Sequence, residues 1–471
     1  MRGASLLLLS RLVVLLLGYA MYAVVSRTLT TSEFGVYGVV VAIATILNTV
    51  LGTGTGQTVS RLTARHPASA AWVRDRLSLG SLVGTLVTGV ALAAGARPRA
   101  HLLNDPDLER PLLVVALVPG LCAVFAVFTG TLNGLQKFGR QSVANVALAA
   151  TRVLFVCGAT VAGLGVIGAL FGTLVAAVVA AVAAYLLART TGSDEPLALG
   201  WGRLLRMVAG FLGASFLFQI LLWSDLLFLK RLLPSSEANQ QAGLYTAAQS
   251  ISRVPYFVLL GLSQAAYPRL SVRVAATGAD VARRTSTLVL SGLLVALAGM
   301  LAVCVPLSRQ IVRVVYPSQY SAAADVLAWL LAAGAALSLA EASLTMLTGA
   351  TGPRRPAMTL MVACLLQGAL ALVLIPRAGP VGAAWSTLIA ALVAASLGLY
   401  QLRAVTRTGL WLRLLATAAP ACLVLAGVAR QFARDTAHPL LTLAFLSVGY
   451  GSYLLVVAIA NRRALAAQLA W

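Results

Sequence analysis

Ser32-Glu33-Phe34-Gly35-Val36-Tyr37 is followed, 24 residues after its tyrosine, by Arg61-Leu62. Ser236-Glu237 and then Gly243-Leu244-Tyr245 is followed at the same interval by Arg269-Leu270. The second tyrosine stands 208 residues after the first, with four residues inserted between Glu and Gly. An apolar run fills the interval in both copies. Two further blocks recur in the same order. Thr131-Leu132-Asn133-Gly134 leading to Arg140 returns 215 residues later as Met346-Leu347-Thr348-Gly349 leading to Arg355. Gly165-Val166-Ile167-Gly168-Ala169-Leu170-Phe171-Gly172-Thr173-Leu174 returns after 214 as Gly379-Pro380-Val381-Gly382-Ala383-Ala384-Trp385-Ser386-Thr387-Leu388. Three matched blocks in one order describe two homologous halves.

The material between the blocks is membrane-like. Sixty per cent of the 471 residues are hydrophobic, 10% are charged and the mean hydropathy is +0.91. A soluble globule of this length needs far more polar exterior. The apolar residues come in runs of about 20, the length of a helix that crosses a bilayer, and short alternating strands are not visible. The expected fold is therefore an all-α polytopic membrane protein with about 14 transmembrane helices. The spans are expected near 5–26, 35–58, 78–95, 111–132, 142–162, 165–187, 206–232, 242–266, 286–306, 323–349, 357–376, 381–402, 413–429 and 439–460. Six fall in each repeat, and six is even, so both repeats begin on the same face and are parallel. The expected divisions are a six-helix lobe at 1–203, a second at 204–412, and an added two-helix hairpin with a short tail at 413–471.

The net charge of +22 is accounted for by topology. With a cytoplasmic N-terminus, 21 of the 35 Lys and Arg lie inside, 11 outside, and three (Arg11, Arg152, Arg253) within spans. Every inner loop carries at least two basic residues, which is the positive-inside bias. The excess faces anionic lipid and argues against nucleic acid as a partner. Both termini are expected in the cytoplasm, in a bacterial cytoplasmic membrane.

Catalytic signatures do not emerge. The five cysteines are scattered through the spans and read as small packing residues. His66, His101 and His438 sit in loops without ligand spacing. Gly52-Thr53-Gly54-Thr55-Gly56 lacks the strand and the Lys-Ser/Thr of a phosphate loop, and reads as a small-residue face at the end of helix 2. Asn104-Asp105-Pro106-Asp107 reads as a turn opening a short helix. The expectation is a non-enzyme without a cofactor.

Arg27-Thr28-Leu29-Thr30-Thr31-Ser32-Glu33-Phe34-Gly35-Val36-Tyr37, Leu132-Asn133-Gly134-Leu135-Gln136-Lys137-Phe138 and Trp223-Ser224-Asp225-Leu226-Leu227 resemble the oligosaccharide-lipid flippases of the polysaccharide biosynthesis family. Gly243-Leu244-Tyr245-Thr246-Ala247-Ala248 and Pro268-Arg269-Leu270-Ser271 extend the resemblance, which runs from helix 1 to helix 12. That family shares a superfamily with MATE multidrug exporters and lipid II flippases. The resemblance implies two lobes in a V around a central cavity, with alternating access. It implies a lipid-linked anionic glycan as cargo, membrane lipids around it, polymerase or assembly proteins as partners, and a structural part for Asp225.

Ionisable groups at membrane depth cost roughly 2.5–3.5 kcal/mol each on insertion scales, so each needs a reason. Arg152 and Arg253 are the leading candidates for substrate binding, because guanidinium forks stay charged and match pyrophosphate oxygens. Neither recurs in the other repeat: Thr45 aligns with Arg253, and Leu366 or Gln367 with Arg152. Arg11, Asn48 and Gln367 complete the candidate cavity set. Asp225 and Glu341 are candidates either for Na⁺ or H⁺ coupling or for ion pairs that lock Arg152 and Arg253. The alternatives to a polysaccharide flippase are a MATE-type drug/cation antiporter, which would want an acidic site, a lipid II flippase, and a non-transporting assembly scaffold.

Overall fold

The computed structural model describes residues 2–189, 195–197, 199–235, 237–254, 279–352, 354–403, 408–435 and 439–461. These residues form helices and short connections. Before the first repeat ends come α1 (Arg2–Thr28), α2 (Thr31–Arg65), α3 (Ala70–Ala94), α4 (Ala96–Leu102), α5 (Glu109–Val114), α6 (Val118–Gly134), α7 (Phe138–Val161) and α8 (Gly165–Ala188). Then follow α9 (Trp201–Leu232), α10 (237–254), α11 (Ala279–Cys304), α12 (Ser308–Val315), α13 (Ala323–Thr351), α14 (Arg354–Leu402), α15 (Thr408–Asp435) and α16 (Pro439–Ala460). Ten helical stretches among the described residues are long and apolar enough to cross a membrane. The chain is a multi-pass, all-helical membrane protein.

Most expected spans coincide with helices, and the differences have local causes. Helix 2 runs 35 residues, to Arg65, so the glycines of 52–56 lie within it and not at its end. Its start is fixed by Thr30 and Glu33. The Thr30 hydroxyl accepts from the Glu33 N–H at 3.3 Å, and the Thr30 N–H donates to the Glu33 carboxylate at 2.9 Å. The repeated glutamate is thus a capping residue in its first copy. The expected span at 111–132 is broken between α5 and α6, where Pro119 opens the second segment. The expected spans at 357–376 and 381–402 are the two limbs of α14, which folds back at Gly379 (φ 52°). Gly165, its counterpart in the first repeat, also has positive φ, at 60°. The second half of the span expected at 242–266 lies outside the described residues, as do Gln264, Pro268-Arg269-Leu270-Ser271 and His438.

Small residues let the helices close on one another. Along α8, Gly168, Gly172, Ala176, Ala180 and Ala184 are buried at every fourth position. Gly382, Ser386, Ala390, Ala394 and Gly398 repeat that stripe 214 residues later. A methyl at Gly172 would come within 2.6 Å of the Phe155 carbonyl oxygen, so α7 and α8 pack backbone to backbone. The α2 glycines do the same against α6, where a methyl at Gly130 would lie 2.7 Å from the Gly56 carbonyl oxygen. Large apolar side chains such as Leu86, Val90, Leu154 and Leu423 point outward, as lipid-facing helices require.

By contacts the chain falls into two compact units, Met1–Thr246 and Ala247–Trp471. This boundary lies inside α10, whereas the division expected from the repeat is at 203/204. In the second unit α15 and α16 pack on α11. Tyr450 and Tyr453 of α16 donate to the carbonyls of Ala296 and Val295 at 3.2 and 3.0 Å, and Gln310 of α12 donates to Ala433 O at 2.6 Å. The hairpin beyond the repeat is an integral layer of that unit.

Candidate functional site

In the first unit, α7 carries Arg152 into a cluster formed with α1, α2 and α6. Its titratable neighbours are Tyr37, Tyr22 and Cys122. The Tyr22 and Tyr37 rings meet edge to face at 6.3 Å between centroids. Tyr37 is fully buried, with its hydroxyl beside the Arg152 guanidinium. No carboxylate pairs with Arg152 among the described residues. The arginine as a whole is half-buried, and its Nε is enclosed. A buried charge without a counter-ion is costly, and such groups concentrate where a ligand supplies the missing charge.

The carboxylate of Asp225 is engaged elsewhere. Asp225 is 1% exposed. It accepts from the Tyr245 hydroxyl at 2.7 Å and from the Leu226 N–H at 2.8 Å. The two repeated tyrosines thus serve different neighbours: Tyr37 stands beside a guanidinium and Tyr245 binds a carboxylate. Both have the same place in the repeat, and each has been matched to its own half.

In the second unit, α10 buries Gln249, Ser252 and Arg253, while its Ser250 hydroxyl bonds the Tyr316 hydroxyl at 2.6 Å. A methyl at Gly334 of α13 would lie 2.9 Å from the Ser252 carbonyl, so α13 lies close along this polar face. Glu341 is half-buried on α13. Gln367 is fully buried, and its side-chain amide donates to Thr387 at 3.0 Å, joining the two limbs of α14. Asn48 is half-buried on α2, near Gly52, and Arg11 is exposed on α1. Arg152 and Arg253 fall in different units.

A second charged cluster escaped sequence reasoning. Lys230, in the last turn of α9, is fully buried and donates to Asp105 at 2.7 Å. Asn239 of α10 donates to the same carboxylate at 3.0 Å and accepts from Lys230. Burial pushes the Asp105 carboxyl up, but the Lys230 and Asn239 hydrogen bonds, the Lys230 charge and the Asp107 N–H outweigh it. The group is held below the usual carboxylate range. The turn at 104–107 forms as expected, with Asp105 capping the short helix Pro106–Leu108. One signal was available: Lys137 and Lys230 are the chain's two lysines, and only Lys230 ends an apolar helix.

The fold is thus a multi-pass helical array with buried charge in each of its two units. The chain belongs to the polysaccharide biosynthesis protein family, whose profile matches residues 1–274. No curated protein matches the sequence. Among solved structures, the lipid II flippase MurJ in an inward closed conformation superposes with a TM-score of 0.76 at 14% identity, over 98% of this chain and 99% of that one. An inward-facing multidrug resistance MATE family transporter of the MOP superfamily gives 0.63 at 16% identity, over 84% and 98%. A MOP superfamily transporter from Pyrococcus furiosus Vc1 (DSM3638), described as having reversed pocket polarity, gives 0.60 at 19% identity, over 86% and 95%. These likenesses establish the MOP fold.

Proposed function

We propose that this protein is a flippase that moves a polyprenyl-pyrophosphate-linked oligosaccharide from the inner to the outer leaflet of a bacterial cytoplasmic membrane, by alternating access. The observation that carries this reading is Arg152, a guanidinium at membrane depth with no carboxylate beside it among the described residues. A pyrophosphate supplies the absent charge and accepts the fork bidentately. Tyr22 and Tyr37 flank it with hydroxyls and ring faces suited to a phosphate-sugar headgroup. Arg253, buried on α10 in the second unit, is the second cationic group of this reading. Asp225, bound by Tyr245, holds the fold and does not carry the coupling ion. Driving force comes from an ion gradient or from consumption of the product outside.

The family membership supports a glycan-linked cargo. The length of the superposition also favours a lipid-linked cargo over a drug, since it reaches 98% of the chain for a lipid II flippase and 84% for a MATE transporter. Arg152→Ala and Arg253→Ala, each expressed at the wild-type level, are expected to reduce delivery of surface polysaccharide by at least about tenfold, with Arg152→Lys in between. Delivery at the wild-type rate by both alanine variants would end the cationic-site mechanism. Depletion separates the related cargo: loss of a surface glycan alone supports this reading, and arrest of wall synthesis supports lipid II.

A further inference from the structure

Where the two copies of the opening motif meet, α2 and α10 cross through their glycines. A methyl at Gly35 would land on the Asn239 carbonyl oxygen, and one at Gly243 would land on the Thr31 carbonyl oxygen. Each clash is with the residue four before the partner glycine, so the crossing is two-fold symmetric. One turn on, Gly38 is covered by the Thr246 side chain. The Asp105, Lys230 and Asn239 cluster sits beside this symmetric crossing and is itself asymmetric. Ser26 occupies the position of Lys230 in the first repeat, and Thr31 occupies that of Asn239 across the crossing. The repeat as a scaffold demands neither residue.

We propose that Asp105, Lys230 and Asn239 form a latch that holds the loop between α4 and α5 to α9 and α10, and that the latch parts in each transport cycle, an inference that rests on the alternating-access reading above. The chemistry suits a contact made and broken in each cycle, whatever the cargo. A buried ion pair adds little net stability, because desolvation offsets its attraction. When the contact parts, the ammonium and the carboxylate regain water. An apolar seal of equal area would expose its surface at full cost. Asn104, whose side chain donates to Arg231 O at 3.3 Å, gives the loop a second hold on α9.

The test is the distance across the crossing in the full-length protein in lipid nanodiscs. Spin labels are placed at Ser32→Cys and Glu237→Cys, both exposed positions, with the native cysteines replaced. Wild-type protein is expected to give mainly the short distance. Asp105→Asn, which keeps the side-chain volume, and Lys230→Ala are each expected to raise the long-distance population at least about tenfold. The double variant is expected to open no further than either single one, because each already breaks the pair. Melting temperature and monodispersity identify variants that fold. A wild-type distance distribution in folded Asp105→Asn and Lys230→Ala protein overturns the latch, and so does an additive double variant.

Discussion

At the residue scale, the two repeated tyrosines divide fold from function. Tyr245 holds the buried Asp225 carboxylate at 2.7 Å. Tyr245→Phe leaves that acceptor short of a donor and is expected to cost about 1–3 kcal/mol of stability, read as a lower melting temperature in detergent. Tyr37 stands beside a guanidinium and binds no buried carboxylate among the described residues. Tyr37→Phe is therefore expected to cost under about 1 kcal/mol while lowering glycan delivery, because its hydroxyl stands beside Arg152. Equal stability losses in the two variants would remove this distinction. Arg152 itself was legible in the sequence, since a basic residue in an apolar run stands out. Its lack of a carboxylate partner was not legible, because partners at depth come from other helices.

At the scale of elements, glycine positions separate close crossings from idle ones. Gly35 and Gly172 face backbone oxygens that a methyl would strike, whereas Gly84 in α3 has open space around it. Gly35→Ala and Gly172→Ala are expected to destabilise by about 1–3 kcal/mol through forced separation of helices. Gly84→Ala is expected to be neutral or to stabilise by up to about 1 kcal/mol through helix propensity. Thermal unfolding of the three variants in one detergent checks the order. The sequence marked the repeated glycines as matched and could not say that the copies touch. Likewise, Pro376 and Pro380 announced a break, and only the fold-back of α14 pairs Gln367 with Thr387.

For the whole molecule, the repeat, the parity of six helices and the bias of basic residues make one topological prediction. An impermeant maleimide added to intact cells is expected to label Glu237→Cys and to leave His66→Cys unlabelled, in a background without the native cysteines. The opposite pattern inverts the orientation and with it the direction of transport. The latch residues Asp105, Lys230 and Asn239 share the face of Glu237.

The sequence by itself determined that the chain lives in a membrane, that it is two parallel repeats, and which charges lie at depth. Hydropathy, periodicity and self-similarity are local or one-dimensional properties, so they survive in the string of residues. The tertiary structure alone decided which buried charges are answered. Asp105 finds Lys230 across 125 positions of sequence, Asp225 finds Tyr245, and Arg152 finds aromatic rings and no carboxylate. Those pairings depend on helix crossings set by small residues, and a charge in low dielectric is defined by whatever the crossing brings beside it.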